Sequence, residues 1–162
     1  MNKVHFSSQK QDWETPQCLF DEWNARYDFQ LDVCANWKNH KCGLYYGQHF
    51  PNAPIVDGLN QDWHKGWDVP AIEHCPPKPR CWMNPPYGRE IKHWVKKASE
   101  EAQRGCLTVA LLPARTDTQY FHSYIYQQPQ TQIHFLKGRL KFVGAENSAP
   151  FPSMIVIFRP LE

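Results

Sequence analysis

Cys81-Trp82-Met83-Asn84-Pro85-Pro86-Tyr87 opens the stretch on which the fold turns, and Cys106-Leu107-Thr108-Val109-Ala110-Leu111-Leu112 closes it. Residues 81–83 read as a brief strand that stops at the Asn-Pro-Pro break. Ile91, Trp94, Val95, Ala98 and Ala102 keep the 3.6-residue period of a helix over 90–104, which Gly105 ends. Residues 106–112 are a continuous apolar run, the pattern of a buried parallel strand. Strand, loop, helix and strand in that order argue an α/β fold with a mostly parallel sheet. Ligands of such sheets sit at the carboxyl ends of the strands, where the 84–87 loop falls.

Outward from this unit, a first helix is expected over 15–27. Thr15 is placed as its N-cap and Pro16 at its first position, with Leu19, Phe20, Trp23 and Tyr27 as the apolar stripe. Short strands are expected at 29–34, 44–46 and 57–63. Residues 64–80 carry four prolines and no periodicity, and read as a surface excursion. Phe121, Tyr124 and Ile125 mark a helix over 117–127. Strands at 133–136, 140–143 and 154–158 follow with no helix between them, which argues a C-terminal antiparallel hairpin at one side of the sheet. No repeat interrupts the order, and residues 1–162 are read as a single domain.

Composition narrows the class. A chain of 162 residues with 41% hydrophobic and 21% charged residues is globular. At this length it is expected to bury roughly 70% of its unfolded surface. The mean hydropathy of −0.67 and the short apolar run at 107–114 exclude a spanning helix. The first residues contain no apolar signal region, so a cytoplasmic protein is expected. A net charge of +2 permits a polyanionic partner without demanding one. Six cysteines form no Cys-x-x-Cys pair, and with no secretory signal they read as free thiols. A zinc site from His74, Cys75 and Cys81 with His40 and Cys42 matches no standard spacing, and no metal is expected.

The Asn84-Pro85-Pro86-Tyr87 loop carries the chemistry. Two prolines donate no N–H and stiffen the backbone, leaving carbonyls without local partners. Asn84 adds a side-chain carbonyl and Tyr87 a planar face. Together they suit a planar group bearing an NH2. The Asn84 oxygen and the Pro85 carbonyl each accept one N–H, which localises the nitrogen lone pair, while Tyr87 stacks on the ring. No strong base is then needed, and the rest is positioning and electrostatics. The plainer alternative is a proline-rich turn between strand and helix.

The sequence resembles the phage-type DNA N6-adenine methyltransferases, the compact Dam-like proteins. The likeness rests on an ordered set of segments along most of the chain. They begin with Trp13-Glu14-Thr15-Pro16, Phe29-Gln30-Leu31-Asp32-Val33-Cys34-Ala35, Asn39 and Cys42. Asp57-Gly58-Leu59 and Gln61-Asp62-Trp63 follow, then Trp82 to Tyr87 with Arg89, Ile91 and Trp94. Leu111 to Thr118, Gly138 to Phe142 and Ala149 to Met154 complete the set. The resemblance implies a Rossmann-like methyltransferase fold, S-adenosylmethionine as cofactor and DNA as substrate. It implies Asn84, Pro85, Pro86 and Tyr87 as the catalytic pocket for the target amino group. Asp32 and Cys34 would lie beside the cofactor at the first strand's end, and Asp62 would meet it at the third. Thr15 and Pro16 would close over its methionine part, and Asn84 would also touch the cofactor.

Two features depart from the broader pattern. Cys34-Ala35-Asn36 stands where a glycine-rich turn is usual, and no acid ends the second strand, where Asn39 is the substitute candidate. Arg89, Arg115, Arg139 and Lys141 are candidate phosphate contacts. The loop around Trp63 and Trp67 is a candidate to fill the gap left by an extruded base. No separate target-recognition domain is visible and no obligate protein partner is expected. A phage or prophage origin would place the protein in the bacterial cytoplasm, protecting DNA from restriction. Other readings are an amino-methyltransferase acting on RNA guanine or a protein glutamine, a catalytically degenerate nucleic-acid-binding module, and a small zinc protein.

Overall fold

The structure, a computed structural model, describes residues 12–65 and 78–161. Six strands form one mixed sheet in the order β2-β1-β3-β4-β6-β5. They are β1 (Leu31–Asn36), β2 (Leu44–Gln48), β3 (Arg80–Met83), β4 (Leu107–Pro113), β5 (Thr131–Phe135) and β6 (Ser153–Phe158). β1 to β4 pair in parallel, whereas β6 runs antiparallel between β4 and β5. Among the described residues three α-helices accompany the sheet: α1 (Gln17–Tyr27), α2 (Ile91–Gln103) and α3 (Gln119–Tyr124).

Alternate residues of a strand face opposite sides, so β3 feeds two layers. Trp82 meets Phe20 of α1 edge-on at 5.4 Å. On the α2 side, Ile91, Trp94, Val95, Ala98 and Ala102 bury the stripe that their spacing specifies. The central strands β4 and β6 are almost wholly buried, as their unbroken apolar runs require.

Several expectations are corrected. Pro16, not Thr15, occupies the N-cap of α1, and no side chain caps that end, because proline carries no side-chain acceptor. Residues 57–63 form a single 3-10 turn, Gly58–Asn60, rather than a strand. The Asp57 carboxylate accepts from Leu59 N–H at 3.0 Å, and the Trp63 indole donates to the Gly58 carbonyl at 2.8 Å. Local side-chain bonds thus outcompete extension. Residues 140–143 are not a strand: Gly138 and Gly144 bracket them at φ 76° and 74°, turning the chain away from the sheet. The antiparallel pair at the C-terminal side is instead β5 and β6, joined by a long loop. β1 starts two residues later than expected, since Asn24 Oδ1 holds the Phe29 N–H at 2.8 Å. Most of the 64–80 excursion, residues 66–77 with Trp67, His74 and Cys75, lies outside the described residues. Trp63 is a core residue, 1% exposed.

Candidate active site

A cleft of about 560 Å³ opens at the carboxyl ends of β1 and β3. One wall is the end of β1, Asp32 and Cys34 to Asn36, with Asn39 and Lys41 from the loop beyond it. The floor is Trp82, Asn84, Pro85 and Pro86. The other wall is an N-terminal strap, Asp12 to Thr15, and Val143. Gln48 at the end of β2 and Ile55 complete the lining.

The strap is held by an aromatic cluster. The Trp13 ring lies 5.2 Å from Phe142 and 5.3 Å from Phe151, and the Val143 N–H donates to the Glu14 carbonyl at 3.1 Å. This places Thr15 against the 84–87 loop, 69 residues away in sequence. The Asn84 Nδ2 donates to the Trp13 carbonyl and, at 2.9 Å, to Thr15 Oγ1. Both its protons are therefore committed. The Asn84 Oδ1 is buried and has no partner among the described residues. A buried acceptor left unpaired costs about 1–3 kcal/mol, so such groups call for an explanation. The Pro85 carbonyl likewise accepts no backbone hydrogen bond among the described residues.

Tyr87 is 4% exposed and does not line the cleft. Its hydroxyl donates to the Leu111 carbonyl at 2.9 Å, and its ring stands edge-on to Phe142 and Phe151. Burial pushes the phenol well above its usual value. In this arrangement the ring supports the loop from the core side instead of offering a stacking face.

Asp32 is 2% exposed at the base of the cleft. Its carboxylate accepts the N–H groups of Cys34 at 3.2 Å and Lys41 at 3.0 Å. Burial raises its pKa to about 7, against the pull of those two bonds and of nearby His40 and Lys41. Burial likewise pushes the Cys34 thiol up, with Asp32 adding to the effect. The cleft lining contains three carboxylates, Asp12, Glu14 and Asp32, and one ammonium, Lys41. Its field favours a cationic ligand once Asp32 is ionised.

The glycines absent after β1 are supplied by its neighbours. A Cβ on Gly47 would lie 1.7 Å from the Ala35 carbonyl oxygen, and one on Gly58 would lie 2.1 Å from that of Val33. Both residues let the chain approach the end of β1 closely.

Other expected site residues fall elsewhere. Asp62 follows the 3-10 turn, ends no strand and does not line the cleft. It pairs with Lys65 at 2.7 Å and Arg104 at 3.7 Å. Its carboxyl is lowered mainly by the Lys65 bond. Pro16 borders the strap but is not part of the lining. Asn39 does line it, and its Oδ1 accepts the Asn36 N–H at 2.7 Å. Arg89, Arg115, Arg139 and Lys141 are exposed and lie outside the cleft lining. Arg115 sits over the Phe151 ring at 5.7 Å.

Near Asp62, His64 and buried Glu101 bring ligand-type atoms within 4.8 Å of one another. Burial pushes the Glu101 carboxyl up, but bonds from Lys97 and His64 outweigh it and hold it below its ordinary value. Lys97 at 2.9 Å, Arg104 at 3.3 Å and His64 at 2.8 Å already occupy its oxygens. This cluster is a packed ion network. His40 stacks on Tyr45 and bonds the Cys42 carbonyl at 2.8 Å.

Sequence reasoning passed over Lys41, whose backbone holds Asp32, and Gln48, which ends β2 at the cleft. No sequence pattern marks Lys41, since the contact is made by its main chain. Among the described residues, no helix is long and apolar enough to cross a membrane.

Comparison with known proteins identifies the family. The family described as DNA N-6-adenine-methyltransferase (Dam) matches residues 3–162. A protein of Haemophilus phage HP1 (strain HP1c1) named DNA N-6-adenine-methyltransferase is 24% identical over 160 residues, covering 94% of this chain and 81% of that protein. One of the same name from Escherichia phage T1 is 30% identical over 110 residues, covering 67% of this chain and 38% of that protein. With a match over nearly its whole length, this chain is an enzyme of the DNA N-6-adenine-methyltransferase (Dam) family.

Proposed function

We propose that the protein transfers a methyl group from S-adenosylmethionine to the N6 amino group of adenine in DNA. The observation that carries this reading is the buried, unpaired Asn84 Oδ1 on the floor of an acid-lined cleft. The target amino group is a donor of the kind that oxygen lacks.

The cleft suits the cofactor on three counts. Its volume of about 560 Å³ falls in the range of small-molecule sites, roughly 300–1,000 Å³. Its carboxylates match a ligand with an ammonium and a sulfonium. Its place at the carboxyl ends of β1 and β3 is where α/β sheets bind ligands. Asp32 and the main chain from Cys34 to Asn36 hold the cofactor on one side, and Thr15 of the strap borders it on the other. Asp62 has no part in this arrangement. The sheet order and the site at β1 support a Rossmann-like methyltransferase fold.

The bound cofactor supplies an electrophilic methyl group on sulfur. The protein supplies placement. Asn84 Oδ1 and the Pro85 carbonyl accept the two N6 protons and draw the nitrogen lone pair out of conjugation. Pro85 and Pro86 keep those acceptors fixed, so little reorganisation is needed when charge develops. As the N–C bond forms and the methyl group's bond to sulfur breaks, its electron pair staying on sulfur, N6 would gain positive charge, which the two acceptors stabilise, and one proton would then leave to solvent. Tyr87 keeps the loop in place through the Leu111 carbonyl. Arg89, Arg115, Arg139 and Lys141 hold phosphates of the DNA.

The test is methyl transfer from labelled S-adenosylmethionine to unmethylated DNA, followed by digestion to nucleosides. Label on N6-methyladenine is expected, with a rate about 10²–10³-fold lower in Asn84→Ala. Label absent from DNA and present on RNA or protein would overturn the reading.

A further inference from the structure

We infer that Thr15 is a positioning residue: its hydroxyl takes the second proton of the Asn84 amide, so that Asn84 presents only an acceptor to the substrate. The inference rests on the proposed role of Asn84.

Asn84 has two amide protons and one oxygen, and a side-chain amide can turn over. The backbone carbonyl of Trp13 has no proton to give, so facing it with Oδ1 is repulsive. That contact sets which end of the amide points at the strap. It leaves the second Nδ2 proton unaccounted for. Thr15 Oγ1 takes it at 2.9 Å, from a side chain 2% exposed. With both protons committed, the amide cannot offer a donor to an incoming amino group, which is itself a donor. Oδ1 remains unpaired as the consequence. The hydroxyl is free for this task because it does not cap α1, whose first turn has no side-chain cap. A role as helix cap or as cofactor contact alone would not require the Thr15–Asn84 bond.

Three proteins are compared with the native one: Thr15→Val, which keeps the shape and removes the acceptor, Thr15→Ser, which restores it, and Asn84→Ala. Thr15→Ala repeats the first test with a smaller side chain in case valine is not accommodated. Single-turnover methylation, affinity for S-adenosylmethionine and the thermal midpoint are measured for each. In Thr15→Val the methylation rate is expected to fall about five- to fiftyfold, the size of leaving one buried proton unpaired. The loss falls mainly on the rate at saturating cofactor, any loss of cofactor affinity being the smaller of the two, and Thr15→Ser recovers most of the rate. Selective 15N labelling of asparagine gives a readout independent of activity. The Asn84 NH2 pair, identified by its loss in Asn84→Ala, shifts in Thr15→Val and returns towards its native position in Thr15→Ser.

Two results would overturn the inference. One is an unmoved Asn84 amide in Thr15→Val. The other is a loss expressed in cofactor affinity with the rate at saturation intact, which would make Thr15 a cofactor contact only. If instead Asn84→Ala methylates DNA at the native rate, the role of Asn84 falls and the catalytic part of this inference falls with it. The amide shift would still distinguish that outcome from a failure of the Thr15–Asn84 bond.

Discussion

Replacing Asp32 by asparagine should remove a pH dependence from cofactor binding. Burial raises the Asp32 pKa from 3.8 to about 7. If the cationic cofactor binds the ionised form, the competent fraction is about one tenth at pH 6 and about nine tenths at pH 8. Affinity should therefore rise about tenfold between these two values in the native protein. In Asp32→Asn it should be weaker at pH 8 and nearly level over the same span. Stability runs the other way. A group whose pKa is raised by folding favours the native state most below its unfolded value. That advantage is lost as pH climbs through about 7. A shift of this size corresponds to about 4 kcal/mol as an upper figure. Asparagine keeps one acceptor for the Cys34 and Lys41 N–H groups and sets a donor against the other, so part of any gain is offset. The comparison to make is thus the slope with pH. Titration calorimetry from pH 5.5 to 8.5, with thermal melts of both proteins without cofactor, gives both slopes. An unchanged pH dependence of binding in Asp32→Asn would refute the assignment of the titrating group.

Tyr87→Phe removes the buried hydrogen bond to the Leu111 carbonyl, and should lower stability by about 0.5–1.5 kcal/mol, read as a depressed thermal midpoint. Because the ring itself is retained, an unchanged midpoint would contradict the buried hydrogen bond. Gly58→Ala drives a methyl group against the Val33 carbonyl oxygen, so β1 has to shift. A loss of about 1–3 kcal/mol is expected, together with weaker cofactor binding, since Asp32 lies one residue before Val33. Arg139→Ala and Lys141→Ala should each lower the salt slope of DNA affinity by about one unit. Cofactor affinity measured without DNA should stay level in both, and an unaltered slope would remove that residue from the phosphate contacts.

The central unit was legible because local and global signals agree there. The stripe of α2 and the apolar run of β4 each permit one structure, and the loop between β3 and α2 holds two prolines. The segment from Asp57 to Trp63 reads as an extended strand but forms a 3-10 turn. Its conformation is fixed by a carboxylate bonding its own backbone and by an indole reaching five residues back, and neither leaves a periodic mark. Asp62, expected at a strand end, instead follows that turn and pairs with Lys65. Residues 140–143 show a strand-like composition, yet two left-handed glycines on either side withdraw them from the sheet. Thr15 had two plausible uses in sequence, and the one observed depends on a residue 69 positions away. Asn84 could be named from the sequence. That its oxygen stands unpaired could not, because this depends on what the strap does to its nitrogen.

The acidic lining of the cleft has a consequence for turnover. With S-adenosylmethionine as donor, the ligand enters carrying a sulfonium charge and leaves as a neutral thioether. Bound in this cleft, both forms would face Asp12, Glu14 and Asp32, but only the first would gain the full attraction of the wall. The spent molecule is held less firmly than the fresh one, so the step that completes the chemistry also loosens its by-product. Exchange for a new donor is then favoured without a lid having to open, and inhibition by accumulated product should weaken as pH rises through the titration of Asp32.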